Sequence, residues 1–180
     1  MDEFSIITIG NKKNEKFLRT PTRSVSPAPR GGFLIDGKEY NRKDMISLIA
    51  RMRKIMQTAN GIGLSANQVG INGKFFIAKV PNGQGHFEFY AVFNPELSVS
   101  GTGEIVMEEG CLSVLRKYGD VPRAERVVLK GIDKNGKSLR IKAWGLLARV
   151  FQHEVDHLNG KLFIDRTKDV HEAPVSEREV

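Results

Sequence analysis

The stretch Gln152-His153-Glu154-Val155-Asp156-His157-Leu158-Asn159-Gly160 constrains this chain more than any other. Successive helical residues turn by about 100°, so histidines four apart stand within about 40° of each other on one face. In a helix, His153 and His157 can therefore share a metal ion, with Glu154 beside them as a general base. Such an arrangement suits the activation of water. Leu146 and Val150 precede His153 on the same face and would give the ion an apolar wall. The plainer reading is a buried helix with two structural histidines. The chain has only 4 histidines, so this spacing rarely arises by accident.

Two imidazoles leave an ion short of ligands, because a catalytic site typically has three protein ligands and one open position. Cys111, the only cysteine, is the best third ligand: its thiolate is a soft, strong donor, and Gly110 before it lets the backbone approach closely. Glu172, Glu177 and Glu179 are the alternatives, in a tail without periodicity. Glu154, next to one ligand but pointing aside from it, can take a proton from water and return it to a leaving amine. Charge developing on an attacked carbonyl oxygen calls for preorganised donors. The candidates are the Gln68 side-chain amide and the backbone N–H of Leu112. Gly61 and Gly63 permit close passage along a substrate, and their spacing fits neither a dinucleotide nor a P-loop fingerprint. The combination points to metal-assisted hydrolysis of an amide.

At 180 residues the chain has the size of one ordinary domain, able to bury a core without disulfides. We expect a single metallohydrolase domain over residues 1–165 and a polar, flexible tail over 166–180. A lone cysteine suits a reducing compartment, and the acidic start Met1-Asp2-Glu3-Phe4 has no signal-peptide pattern. No apolar run reaches the roughly 18 residues of a membrane span. A cytoplasmic location is expected. The net charge of +7 favours contact with polyanions such as a ribosome surface. The basic residues are scattered, however, and form no recognisable nucleic-acid motif.

Apolar Met45, Leu48, Ile49, Met52, Ile55 and Met56 recur at helical spacing, predicting an amphipathic helix over 44–57 capped by Asn41 or Asp44. Ile6 to Ile9 reads as a short strand, and the prolines and glycines of 21–32 as a loop. Strands are expected over 74–80, 87–93 and 104–108, and over 126–131 and 138–143 around the turn residues Asn135-Gly136. A helix over 145–159 ends before Gly160. The whole reads as one α+β unit with largely antiparallel sheets around the histidine-bearing helix.

Three motifs in this order, Gly61-Ile62-Gly63-Leu64-Ser65-Ala66-Asn67-Gln68, Glu109-Gly110-Cys111-Leu112-Ser113 and Gln152-His153-Glu154-Val155-Asp156-His157, give the chain a resemblance to the peptide deformylases over roughly residues 40–165. The resemblance implies that Cys111, His153 and His157 bind Fe2+ in the cell, exchangeable for Zn2+, Ni2+ or Co2+. It makes Glu154 the catalytic acid and base, with Gln68 and the Leu112 amide stabilising the intermediate. It implies N-formylmethionyl nascent peptides as substrates, cleaved to formate and a free N-terminus. Ile62, Met107, Leu146 and Val150 would line the methionine pocket, while Glu109, Gly63 and the adjoining Gly110 would meet the peptide backbone. A monomer is expected. An HExxH metallo-endopeptidase is the alternative.

Some features depart from the family pattern. Ser65 replaces the usual alanine, a change expected to have little effect. Val114 to Tyr118 lack the proline and arginine common in bacterial members, so peptide contacts on that side are expected to differ. The tail after Asp165 is short, as among phage-encoded and organellar relatives.

Overall fold

The computed structural model describes residues 5–29 and 31–172. Its helices are α1 (Lys12–Leu18), α2 (Arg42–Thr58) and α3 (Gly145–Leu158). Its strands are β1 (Ser26–Pro27), β2 (Phe33–Ile35), β3 (Lys38–Tyr40), β4 (Gly63–Ser65), β5 (Phe75–Pro81), β6 (Phe87–Val99), β7 (Glu104–Cys111), β8 (Val114–Ala124), β9 (Arg126–Ile132), β10 (Ser138–Trp144) and β11 (Val170–Glu172). They form three antiparallel sheets, ordered β1-β2-β3, β10-β9-β6-β5-β4 and β11-β8-β7. The architecture is α+β, with the five-stranded sheet and β8 against α3 and the small sheet of β1 to β3 on the α2 side.

Strand alternation splits the core into two layers. Phe76, Ala78, Val80, Val92, Val127, Leu129 and Ala143 face one way from the five-stranded sheet and bury Ala148, Val150, Phe151 and Leu158 of α3. Leu64, Phe75, Ile77 and Phe93 face the other way, against Met45, Leu48, Ile49, Met52 and Met56 of α2. A stack of Phe33, Phe93 and Phe75, with centroids 4.5 and 4.9 Å apart, joins the small sheet to this layer. The first layer therefore seats α3 against the sheet.

Helix α2 begins at Arg42 because Asn41 and Asp44 both serve as caps: Asn41 accepts from Lys43 N and Asp44 N, while the Asp44 carboxylate accepts from Asn41 N at 3.1 Å. Helix α3 stops where expected, with Gly160 at φ +73 and packed so closely on the backbone of Arg19 that a side chain has no room there. Where the strand was expected to end at residue 93, β6 continues to Val99 through a bulge between Phe93 and Glu96. Residues 5–8 form no strand. Instead Ile7 N donates to Gln68 O at 2.8 Å and Ile9 N to Ser113 O at 3.0 Å, so this segment links two of the motifs. Helix α1, strand β1 inside the expected loop, strands β2 and β3 just beyond it, and β8 were all unforeseen.

Part of the expected tail belongs to the fold. Strand β11 pairs with β8, and Arg166 holds Asp156 of α3 at 2.5 Å. Residues 173–180, with the alternative ligands Glu177 and Glu179, lie outside the described residues.

Candidate active site

Helix α3 carries His153 and His157 one turn apart, and their Nε2 atoms are 3.2 Å from each other. The β7–β8 hairpin delivers Cys111 across the gap, placing its Sγ 3.1 Å from His157 Nε2. The three donor atoms lie within 4.8 Å of one another, and Glu172 is not among them. Tetrahedral bonds of about 2.3 Å to sulfur and about 2.0–2.1 Å to nitrogen would separate such donors by about 3.3–3.6 Å. The Nε2–Nε2 spacing falls within a few tenths of that and the Sγ–Nε2 spacing within about half an ångström, so the donor set fits a divalent ion.

The electrostatics fit as well. Burial alone would raise the Cys111 thiol, but His157 and His153 beside it hold it well below its ordinary range. Burial would likewise lower His153, yet Cys111 and Glu109 raise it well above the usual imidazole value. Protons and a metal ion compete for these same donors, so metal affinity falls as the pH is lowered.

Glu109 is buried, and its carboxylate is fully engaged. It accepts from Arg123 Nε and Nη2 at 2.9 Å each, from Arg149 Nη1 at 2.7 Å and, with the imidazole as donor, from His153 Nδ1 at 3.0 Å. Burial pushes this carboxyl up, but Arg123 and His153 outweigh it and hold it well below the usual carboxylate range. The contact with His153 fixes the ring so that Nε2 points to the centre of the site. Glu109 was expected to meet a peptide backbone. Its side chain has no acceptor capacity left for that, and only its main chain is available.

Glu154 is buried beside the donors. Burial pushes its carboxyl above the ordinary value, opposed by the two imidazoles and by Ser65. The Ser65 hydroxyl lies 2.5 Å from Glu154 Oε2 and 3.0 Å from the Glu154 carbonyl oxygen. The substitution expected to have little effect thus touches the candidate base directly. Gly63 packs on the same carboxylate, and a β-carbon there would stand 2.8 Å from its carboxyl carbon. Gln68 is oriented by its own hydrogen bonds: Oε1 accepts from Ser65 N at 2.9 Å, and Nε2 donates to Ser113 Oγ at 3.0 Å and faces Cys111 Sγ at 3.6 Å.

These groups line one cavity of about 490 Å3, bounded by Ile62, Gly63, Gln68, Glu109, Gly110, Cys111, Leu112, Leu146, Val150, His153 and Glu154, all named from the sequence. Met107, expected in the pocket, is half-exposed on β7 and outside the lining. Tyr118 and Arg149 line the cavity without having been expected there. Arg149, Arg123 and Asp156 escaped the sequence reading. For Arg149 the signal was a cation one turn before His153, inside an apolar stretch where it needs a buried counter-charge. The cleft lies between two sheet edges, since β4 ends the five-stranded sheet and β7 ends the three-stranded one.

The polypeptide deformylase family profile matches residues 12–173. The chain belongs to the peptide deformylase family. It is 48% identical over 124 residues to a peptide deformylase of Halothermothrix orenii, covering 69% of this chain and 78% of that one. The peptide deformylase of Thermotoga maritima superposes with a TM-score of 0.76 at 33% identity, covering 93% of this chain and 99% of the other. A Met-Ala-Ser-bound deformylase of Acinetobacter baumannii gives 0.75 at 30% identity, covering 93% and 100%. The family match extends to both sides of the span recognised from the motifs. A peptide deformylase is a metallohydrolase of linear amides and works with a divalent ion, and among the described residues no helix is long and apolar enough to cross a membrane.

Proposed function

We propose that Cys111, His153 and His157 hold one divalent ion, Fe2+ in the cell, and that the site removes the formyl group from N-formylmethionyl nascent peptides in the cytoplasm, close to the ribosome, as a monomer. The observation that carries this reading is the meeting of the sole thiol with both imidazoles beside a buried carboxylate, at the floor of a cleft between two strand edges. A divalent ion bound there supplies Lewis acidity and lowers the pKa of water.

The chain's own groups do the rest. Edge strands present unpaired main-chain groups, so β4 and β7 can receive an extended peptide between them. Ile62, Leu146 and Val150 surround an unbranched apolar side chain, and Gly63 and Gly110 let the peptide backbone come close. The raised pKa of Glu154 suits a base that accepts a proton from the attacking water and passes it to the amine nitrogen as the C–N bond breaks. Gln68 Nε2 and the Leu112 amide donate to the formyl oxygen as it gains charge. Products are formate and a peptide with a free N-terminus, and a Met-Ala-Ser peptide of that kind is what the Acinetobacter relative binds.

Metal-loaded protein is expected to release formate from formyl-Met-Ala-Ser. Glu154→Gln should retain metal and peptide while losing turnover by about 10²-fold or more. Metal at full stoichiometry without formate release would overturn the reading, and new amino groups in an unformylated protein would mark an endopeptidase instead.

A further inference from the structure

Basic residues that look scattered in the sequence are gathered by strand register. In the β9–β10 ladder Arg140 stands opposite Lys130, Lys142 opposite Val128, and Trp144 opposite Arg126. Alternation sends Val127, Leu129 and Ala143 into the layer against α3, and turns Arg126, Lys130, Arg140, Lys142 and Trp144 to the opposite face. All five are exposed there. Helix α2 covers the opposite face of the sheet over β4 and β5, leaving this part open. Trp144, the chain's only tryptophan, is 70% exposed.

Two features are unfavourable for folding alone. Like charges directly across a ladder destabilise it, yet Arg140 faces Lys130. Glu96 is the carboxylate that register brings beside Lys130, but none of the four cations forms an ion pair among the described residues. A large aromatic ring left in water on a charged face is the second.

The face is linked to the cleft through shared lining residues. Arg126, Val128, Lys142 and Trp144 line a cavity of about 490 Å3, while Lys142 and Trp144 also line a second cavity. That one shares Leu146 with the active site.

We infer that the outer face of the β9–β10 hairpin binds RNA, the four cations meeting phosphates and the Trp144 ring stacking on an unpaired base. Cations around an aromatic platform recognise single-stranded nucleic acid. Membrane insertion needs an apolar face, and this one carries a single aromatic ring between charges. The inference deepens the nascent-chain reading and rests on it for its setting, because the cavity beside Lys142 and Trp144 shares Leu146 with the active-site cavity.

Trp144 is its own probe. Titration with oligouridylate should quench its fluorescence, and the logarithm of the binding constant should fall with the logarithm of salt concentration with a slope of about −3, as four phosphate contacts on a single strand require. The double variant Lys130→Glu/Arg140→Glu should bind about tenfold more weakly or worse while releasing formate from a formylated tripeptide at the wild-type rate. Trp144→Ala, followed by anisotropy of labelled RNA, should lose about fivefold or more, and Trp144→Phe should restore most of it. Absence of quenching, wild-type binding by the double variant, or equal binding of polyglutamate or of phosphatidylglycerol vesicles would overturn the inference. RNA binding by metal-loaded protein that releases no formate would support this face and overturn the catalytic reading instead.

Discussion

Replacing Glu109 by glutamine removes a negative charge from between two guanidinium groups while keeping the volume. The wild-type carboxylate accepts four hydrogen bonds, from Arg123 twice, Arg149 and His153. Its side chain is 5% accessible and those of Arg123 and Arg149 are 4% and 7%. An amide offers one acceptor oxygen and two N–H groups, so at least one of these donors would face another donor. Breaking one partner of a buried ion pair destabilises by about 3–5 kcal/mol. At about 2–4 °C per kcal/mol for a chain of this size, Tm should fall by about 6–20 °C at neutral pH. His153 also loses its orienting acceptor, a change that typically weakens metal binding by about 10–100-fold.

The pH dependence gives an independent check on Glu109→Gln. Because the folded protein holds Glu109 below its ordinary value of 4.5, its contribution is present above that value and lost as pH falls toward the folded pKa. The difference in Tm between wild type and variant should therefore shrink on acidification. Thermal melts monitored by circular dichroism from neutral to acidic pH, with metal content measured after dialysis, test both parts. A variant melting within about 2 °C of wild type at neutral pH, or a gap that widens in acid, would refute the reasoning.

Ser65→Ala removes the hydroxyl that favours the charged form of Glu154, so the acidic limb of the kcat/KM profile should move to higher pH. An unmoved limb would count against the contact. Gly63→Ala places a β-carbon against the Glu154 carboxylate and should lower kcat by about 10²-fold with metal still bound, as steady-state kinetics and metal analysis will show. Chelation should lower Tm and readdition restore it, with apparent metal affinity falling as pH drops, because Cys111 and the imidazoles must shed protons to bind. A pH-independent affinity would exclude this donor set.

What could be read from the sequence was what local geometry fixes. The spacing of His153 and His157 is converted to a shared face by the helix alone, and Asn41 and Asp44 declare the start of α2 within four residues. Cys111 and Gln68 followed from what the chemistry lacked. The partners of Glu109 did not, because Arg123 and Arg149 lie 14 and 40 residues away in sequence and meet it only through the hairpin and α3. Strand β8 was hidden by a polar, exposed stretch from Leu115 to Tyr118, where Arg116 adopts a φ of +58. Strands β1 to β3 are two or three residues long, too short for periodicity to show. The contact of Ser65 with Glu154 could not be foreseen because the partner lies 89 residues away.

Arg149 explains how two separate bodies bring their donors to one point. The thiol comes from the β7–β8 hairpin and the imidazoles from α3. Besides Glu109, Arg149 donates to the carbonyl oxygens of Ile105 at 2.6 Å and Val121 at 2.9 Å, one on each strand of the hairpin. Backbone acceptors are indifferent to the side chains that carry them, so the clamp holds even though Ile105, Val106 and Met107 are exposed. The same cation supports the carboxylate that orients His153, one helical turn further on. Arg123 on β8 adds a second tie, pairing with both Glu109 and Asp156 of α3, so docking of the hairpin and aiming of the ligand share one buried network, and a change that loosens either loosens both.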